Sequence, residues 1–275
     1  MSRRVRSLSF AFACTTLIAC ATDDGVEPAT LDEAAQASTS VEAATEATYA
    51  TSLIAVDASA YASARVADAP AALIAAVEER LADGLTAPAC ATIATDQRTY
   101  VEVTFANCVG PRGLRGLSGV LRAEITVEPT PCGPFECVGA ITYQVSTSGL
   151  TLNGTTFAGA WSWRDPVAAE QPSTWSGDLT IAGPRRTLQS TSSATVAIAD
   201  GCATYDLTAE VTTGARTLAV TATDVQRCLD ACPTAGTVEL VGARGALSWS
   251  YGGDGTAEVT TAGGATFDVT LACAE

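Results

Sequence analysis

The chain has no histidine and no lysine; all fifteen of its basic residues are arginine. These absences remove whole classes of chemistry. A serine or cysteine nucleophile needs a neighbouring base, so without imidazole there is no Ser-His-Asp triad and no Cys-His pair. Without a lysine amine there is no Schiff base, no Ser-Lys dyad and no P-loop. Histidine-ligated zinc, haem and non-haem iron are excluded as well. Carboxylate chemistry survives, such as a two-carboxylate hydrolase in which Glu124 or Asp178 would supply one member. Calcium held by oxygen ligands also survives. No Asp-rich calcium loop is present, however: Tyr251-Gly252-Gly253-Asp254-Gly255 carries a single carboxylate and reads as a turn. No catalytic residue, metal ligand or cofactor site is therefore expected. Aromatic residues are scarce at 6%, while Ala, Thr and Gly are abundant, which points to a thin β structure rather than a dense enzyme core.

Positive charge is the next scarcity. The formal net charge is −15, and loss of Arg3, Arg4 and Arg6 with an amino-terminal leader takes it to about −18. Nucleic acid and anionic membrane surfaces are poor partners for such a chain. That leader has the layout of a secretory signal peptide. A basic head precedes an apolar stretch from Leu8 to Ala19, too short for a membrane span of roughly 20 residues. Leu17-Ile18-Ala19-Cys20 resembles the lipobox of bacterial lipoproteins. The resemblance implies cleavage between Ala19 and Cys20 and lipid attachment to Cys20. Three acyl chains would hold firmly where one alone anchors marginally. Ala21 directly after the cysteine favours the outer membrane over the inner.

Ten cysteines are present, and Cys14 and Cys20 belong to the leader and the anchor. The remaining eight form an even set, which in an exported chain reads as a disulfide framework. Cys202 and Cys228 bracket two strand-like runs symmetrically about the turn at residues 213–216. Cys90 and Cys108 bracket a shorter hairpin with its turn near Asp96-Gln97. Cys132 and Cys137 would close a small local loop, which leaves Cys232 with Cys273.

Four segments are expected. Residues 1–19 are the signal peptide. Residues 20–60, rich in Ala, Thr, Ser, Asp and Glu, form an acidic low-complexity tether that buries too little apolar surface to fold. Residues 61–89 are helical: Asp68 suits an N-cap, Pro70 the first turn and Gly84 the stop, with Leu73, Ile74, Val77 and Leu81 on one stripe. Residues 90–275 are a disulfide-braced β domain, read from strand-like runs such as Val120 to Val127, Ile141 to Val145 and Trp175 to Ile181, each alternating polar and apolar residues. The fold class is mainly β, an antiparallel hairpin meander as sandwich, barrel or long curved sheet, with one amino-terminal helix packed on it. The lipobox, the acidic tether, the Cys-bracketed hairpins and the closing Cys232-Pro233-Thr234 to Ala272-Cys273 run together resemble uncharacterised lipoproteins of GC-rich Gram-negative bacteria. That resemblance implies location and architecture and carries no activity.

Trp161 and Trp163 share one strand face, Trp249 and Tyr251 another, and Trp175 sits on a neighbouring strand. Exposed aromatic rows stack on sugar rings, whereas buried ones fill a core. The expected function is a non-enzymatic structural or interaction protein of the cell envelope, held to a membrane by lipid on Cys20 and meeting a glycan or an envelope protein. A carbohydrate-binding module using these five aromatics is the alternative, and a carboxylate-dependent hydrolase the second.

Overall fold

The computed structural model describes residues 51, 53–56, 58, 66, 69–96, 98–109, 116–152, 154–168, 171–182, 187–199, 202–213, 216–228, 232–242, 245–253 and 255–270. The leader, Ala19, Cys20, the tether up to residue 50, Asp68 and Cys273 lie outside the described residues.

A helix, α1 (Ala69–Gly84), forms where the apolar stripe is densest. Leu73, Ile74, Val77 and Leu81 recur at helical spacing and are all buried, facing the first strands of the sheet. Gly84 ends the helix and makes room: a Cβ there would lie 3.1 Å from Leu53 Cδ2. A 3-10 turn at Pro88–Cys90 leads into the sheet.

Thirteen strands follow: β1 (Ala91–Thr95), β2 (Tyr100–Cys108), β3 (Leu117–Cys132), β4 (Phe135–Leu152), β5 (Thr155–Pro166), β6 (Ser173–Ala182), β7 (Thr187–Ala199), β8 (Cys202–Thr213), β9 (Arg216–Cys228), β10 (Pro233–Gly242), β11 (Gly245–Tyr251), β12 (Thr256–Thr261) and β13 (Thr266–Thr270). Each is hydrogen-bonded to the next in sequence, so spatial order equals chain order, and β1 and β13 are not joined. The architecture is one open antiparallel meander rather than a closed barrel or a pair of separate sheets. Each strand pairs antiparallel with its neighbours in sequence, which keeps pairing local.

The strands form because Val, Ile, Thr, Tyr and Trp alternate with small polar residues. In β6 the alternation is unbroken: Ser173, Trp175, Leu179 and Ile181 are buried, while Thr174, Ser176, Asp178 and Thr180 are exposed. Inward side chains from across the sheet join with those of α1 in one apolar core. The opposite face is polar.

Two strands are longer than their alternation suggests, β3 at 16 residues and β4 at 18. The reason lies in two β-bulges. The inward set on β4 is Val138 and Ala140, then Ile141, Tyr143 and Val145, then Leu150 and Leu152. Its parity changes twice, where the register slips near Gly139 and between Thr147 and Leu150. Each slip restores apolar residues to the core side. Read without the partner strand, such a break in phase mimics a strand end. Gly119 on β3 faces the second slip: its φ is +118°, and a Cβ there would collide with the Gly149 carbonyl oxygen.

The described residues between 51 and 58 fall inside the segment expected as a tether and pack on the fold. Thr51, Leu53, Ile54 and Ala58 are buried, and their part of the chain is tied to the inner face of β4 and β5. The Val56 amide donates to the Tyr143 hydroxyl at 2.9 Å, and that hydroxyl donates in turn to the Val56 carbonyl at 3.3 Å. The Ala58 amide donates to Asp165 Oδ2 at 3.1 Å. Leu53 and Ile54 supply apolar surface that the surrounding Ala, Thr and Ser composition obscures.

Candidate functional site

The cysteines brace the hairpins. Cys90 and Cys108 are bonded across β1 and β2 with Cα atoms 5.3 Å apart. The turn between them closes on Asp96, whose carboxylate accepts from the amides of Arg98, Thr99 and Tyr100 and from the Thr99 hydroxyl. Those donors, the Thr99 hydroxyl foremost, hold its carboxyl well below the usual range. Cys132 and Cys137 are bonded across the β3–β4 tip, Cα atoms 5.7 Å apart, around a turn at Gly133 and Pro134. Cys202 and Cys232 are also in disulfides, and the register sets Cys202 directly opposite Cys228.

The aromatics lie on the inner face. Trp161, Trp175 and Trp249 are 2, 4 and 5% exposed, and Trp163 and Tyr251 are half-buried against the same core. Trp161 crosses Gly177 on β6, where a Cβ would lie 2.5 Å from its own. Its indole N–H donates to the Thr51 hydroxyl, and its ring meets Phe157 at a centroid distance of 6.3 Å. Trp249 Nε1 donates to the Tyr251 hydroxyl at 3.0 Å. These rings fill the core, so they offer no exposed row for the alternative of a sugar-stacking face: pleating turns them inward, and large apolar surface is stabilised by burial. Among the described residues, the buried Trp175 Nε1 and Ser192 Oγ have no hydrogen-bond partner.

Glu124 and Asp178 both stand on the outer face. They sit three strands apart, on β3 and β6, a backbone separation of about 14 Å at ordinary strand spacing. A glycosidase pair lies within about 9.5 Å, so these two do not form one. Glu124 instead takes Arg122 at 3.4 Å, and Arg122 also faces Glu102 at 3.8 Å and lies 4.0 Å above the Tyr100 ring. Among the described residues no three His, Cys, Asp or Glu side chains gather to hold a metal ion. No described helix is long and apolar enough to cross a membrane.

What the outer face does hold is a continuous field of small polar groups. The register carries one row from Glu124 on β3 through Gln144, Ser162, Ser176, Ser193 and Thr208 to Thr221 on β9, each residue opposite the next. It continues through Glu239, Ser248 and Thr260 to Thr266 on β13. A neighbouring row runs Ala160, Asp178, Thr191, Glu210 and Ala219. Together the rows line an open trough of about 640 Å³ across β4 to β9, and a smaller one of about 210 Å³ lies between Thr221 and Glu258. Large apolar side chains exposed among the described residues are scattered singly, at Val109, Phe135 and Val241. Sequence reasoning missed the trough because its residues are ordinary outward positions on six strands. Only the register sets them side by side.

At one margin of this face, Glu128 and Arg164 form a bidentate pair at 2.8 and 2.7 Å. The Thr142 hydroxyl adds a bond at 3.4 Å. The guanidinium holds the Glu128 carboxyl below its ordinary value, against a smaller opposing effect of burial. No family model, curated protein or solved structure matches the chain.

Proposed function

We propose that the chain is an exported envelope lipoprotein, cut before Cys20 and anchored by lipid on that cysteine, whose sheet is a non-enzymatic scaffold presenting a polar face to a partner. It is of the kind seen in uncharacterised lipoproteins of GC-rich Gram-negative bacteria. The observation that carries export is the cysteine arrangement. Two hairpins are closed by disulfides, and Cys202 and Cys232 are in further ones. Such bonds persist in oxidising compartments and are rare in the cytosol. The lipobox at residues 17–20 supports the anchor, and Ala21 supports the outer membrane as its destination. Missing histidine and lysine, and carboxylates spread over an open face, support a binder rather than a catalyst. The proposed connectivity adds Cys202–Cys228 and Cys232–Cys273.

The test is metabolic labelling with an acyl probe in a Gram-negative host. The wild-type chain should take up label and sediment with membranes, and Cys20→Ser should do neither. A Cys20→Ser chain that still carries label and partitions with membranes would overturn the anchor. Peptide mapping of the unreduced protein checks the connectivity.

A further inference from the structure

The trough across β4 to β9 exists because its floor is made of small side chains. Ala160, Ser162, Ser176, Gly177, Ser193 and Ala219 leave the sheet's outer surface thin. A volume of about 640 Å³ falls within the range of small-ligand sites, and its open form suits an elongated ligand laid across the strands.

Its chemistry is one-sided. Hydroxyls both donate and accept, whereas ionised carboxylates only accept. No arginine lines the trough, and the chain is strongly acidic. Asp178 and Glu210 stand two strands apart with Thr191 between them. Asp178 spends one oxygen on the Thr191 hydroxyl at 2.6 Å. Glu210 has no ion pair or hydrogen bond to a described residue. A ligand suited to this surface brings more donors than acceptors, carries positive charge, and offers hydroxyls to the serine and threonine row. An anionic ligand meets two carboxylates, and an apolar one meets mostly small side chains such as Ala160 and Ala219.

We propose that this trough binds an amino-sugar oligosaccharide, its protonated amines on Asp178 and Glu210 and its hydroxyls on the row from Ser162 to Thr208. The inference rests on the interaction role proposed above and names its ligand class.

Calorimetric titration of the full, oxidised chain tests it with three probes: a glucosamine tetramer, its fully N-acetylated counterpart and a tetralysine peptide. The glucosamine tetramer should bind, and the other two should bind at least about tenfold more weakly. Either Asp178→Asn or Glu210→Gln should weaken it about fivefold, and the two together about twentyfold, as expected for exposed charge pairs. Ser176→Arg, which fills the floor and adds a like charge to the ligand's, should abolish binding. Glu239→Gln, which removes the same charge from the same face outside the trough, should leave binding unchanged. All four variants alter solvent-facing strand positions, and circular dichroism checks that each keeps its sheet. Equal binding of the acetylated tetramer, equal binding of tetralysine, indifference to the double substitution, or no binding at all would each overturn the proposal. Acyl labelling of Cys20 is read separately, so an intact anchor with no sugar binding refutes the trough alone.

Discussion

The first six strands and the last seven follow the same meander but are held differently. In the first region α1 and Leu53, Ile54 and Ala58 add apolar side chains to the core, and Tyr143, Trp161 and Asp165 each hydrogen-bond to that amino-terminal layer. That region also contains β3 and β4, the longest strands, both of its own hairpin disulfides, and the Glu128–Arg164 pair. In the second region strand length falls from 13 residues in β9 to 5 in β13. Its inner face is built mainly of aliphatic side chains such as Val211, Leu218, Val220, Val225 and Leu240, with Tyr205 on β8 and Trp249 and the half-buried Tyr251 on β11 among its rings. Among the described residues, the polar ties from the amino-terminal layer run to the first half. Alternation alone makes a sheet, but the layer over it has to be specified by long-range bonds.

The sharpest way to break this comparison is to truncate one tryptophan in each half. Trp161→Ala should cost about 3–5 kcal/mol, at the upper end because it also frees Thr51 from its bond. Trp249→Ala should cost less, since its N–H partner is Tyr251 on the same strand. Urea unfolding of both variants decides it. An equal or larger loss at Trp249 would show that the amino-terminal layer does little for stability.

The two hairpin disulfides of the first half come next. Replacing Cys90 and Cys108 by serine should cost about 3 kcal/mol, and replacing Cys132 and Cys137 about 2 kcal/mol, because the first closes the longer loop. Thermal unfolding with and without each bond measures the difference. A reversed order would mean that native-state strain outweighs loop entropy at one of them.

A smaller effect belongs to pH. Glu128 has its folded-state pKa lowered by Arg164. Its contribution is therefore complete above the ordinary glutamate value of 4.5 and is lost as pH falls through the lower folded value. Both side chains are more than a third exposed, so solvent screening keeps the pair below about 1 kcal/mol. Glu128→Gln should flatten the decline of stability below pH 4.5 and change little at pH 7. A variant whose acid profile overlays the wild type would remove the pair from the list of ties.

The smallest expected change is a gain. Ser192→Ala deletes a buried hydroxyl with no partner among the described residues, and should be neutral or stabilise by up to about 1 kcal/mol. A clear loss of stability would reveal an interaction of that hydroxyl within the core.

Much of this was legible in the residues. The stripe from Leu73 to Leu81 identified α1, and the alternating run from Trp175 to Ile181 falls within two residues of the ends of β6. Cys90 with Cys108 and Cys132 with Cys137 were readable as pairs, because hairpin symmetry is a local property. The full lengths of β3 and β4 were not, because bulges at Gly139 and beyond Thr147 shift the inward phase, and a shift is recognised only against the partner strand. The burial of Thr51, Leu53, Ile54 and Ala58 was not legible either. Its bonds to Tyr143, Asp165 and Trp161 span 87 to 110 residues, and nothing nearby in the chain announces them. The polar trough belongs to the same class: Asp178 and Glu210 are ordinary exposed carboxylates until register lines them up.

The amino-acid sequence alone determined which chemistries are closed to this protein, that it folds as antiparallel hairpins with one packed helix, and which cysteines could brace local loops. Composition and short-range periodicity are enough for that, because side-chain alternation and hairpin pairing act over a few residues. Tertiary structure decided that the sheet stays open, that the tryptophans turn inward, and that small outward residues on six strands form one trough. Those outcomes depend on register and on contacts between distant segments. A shift of one residue reverses which side chains face the core, so only the assembled sheet settles which face is buried and which is free to bind.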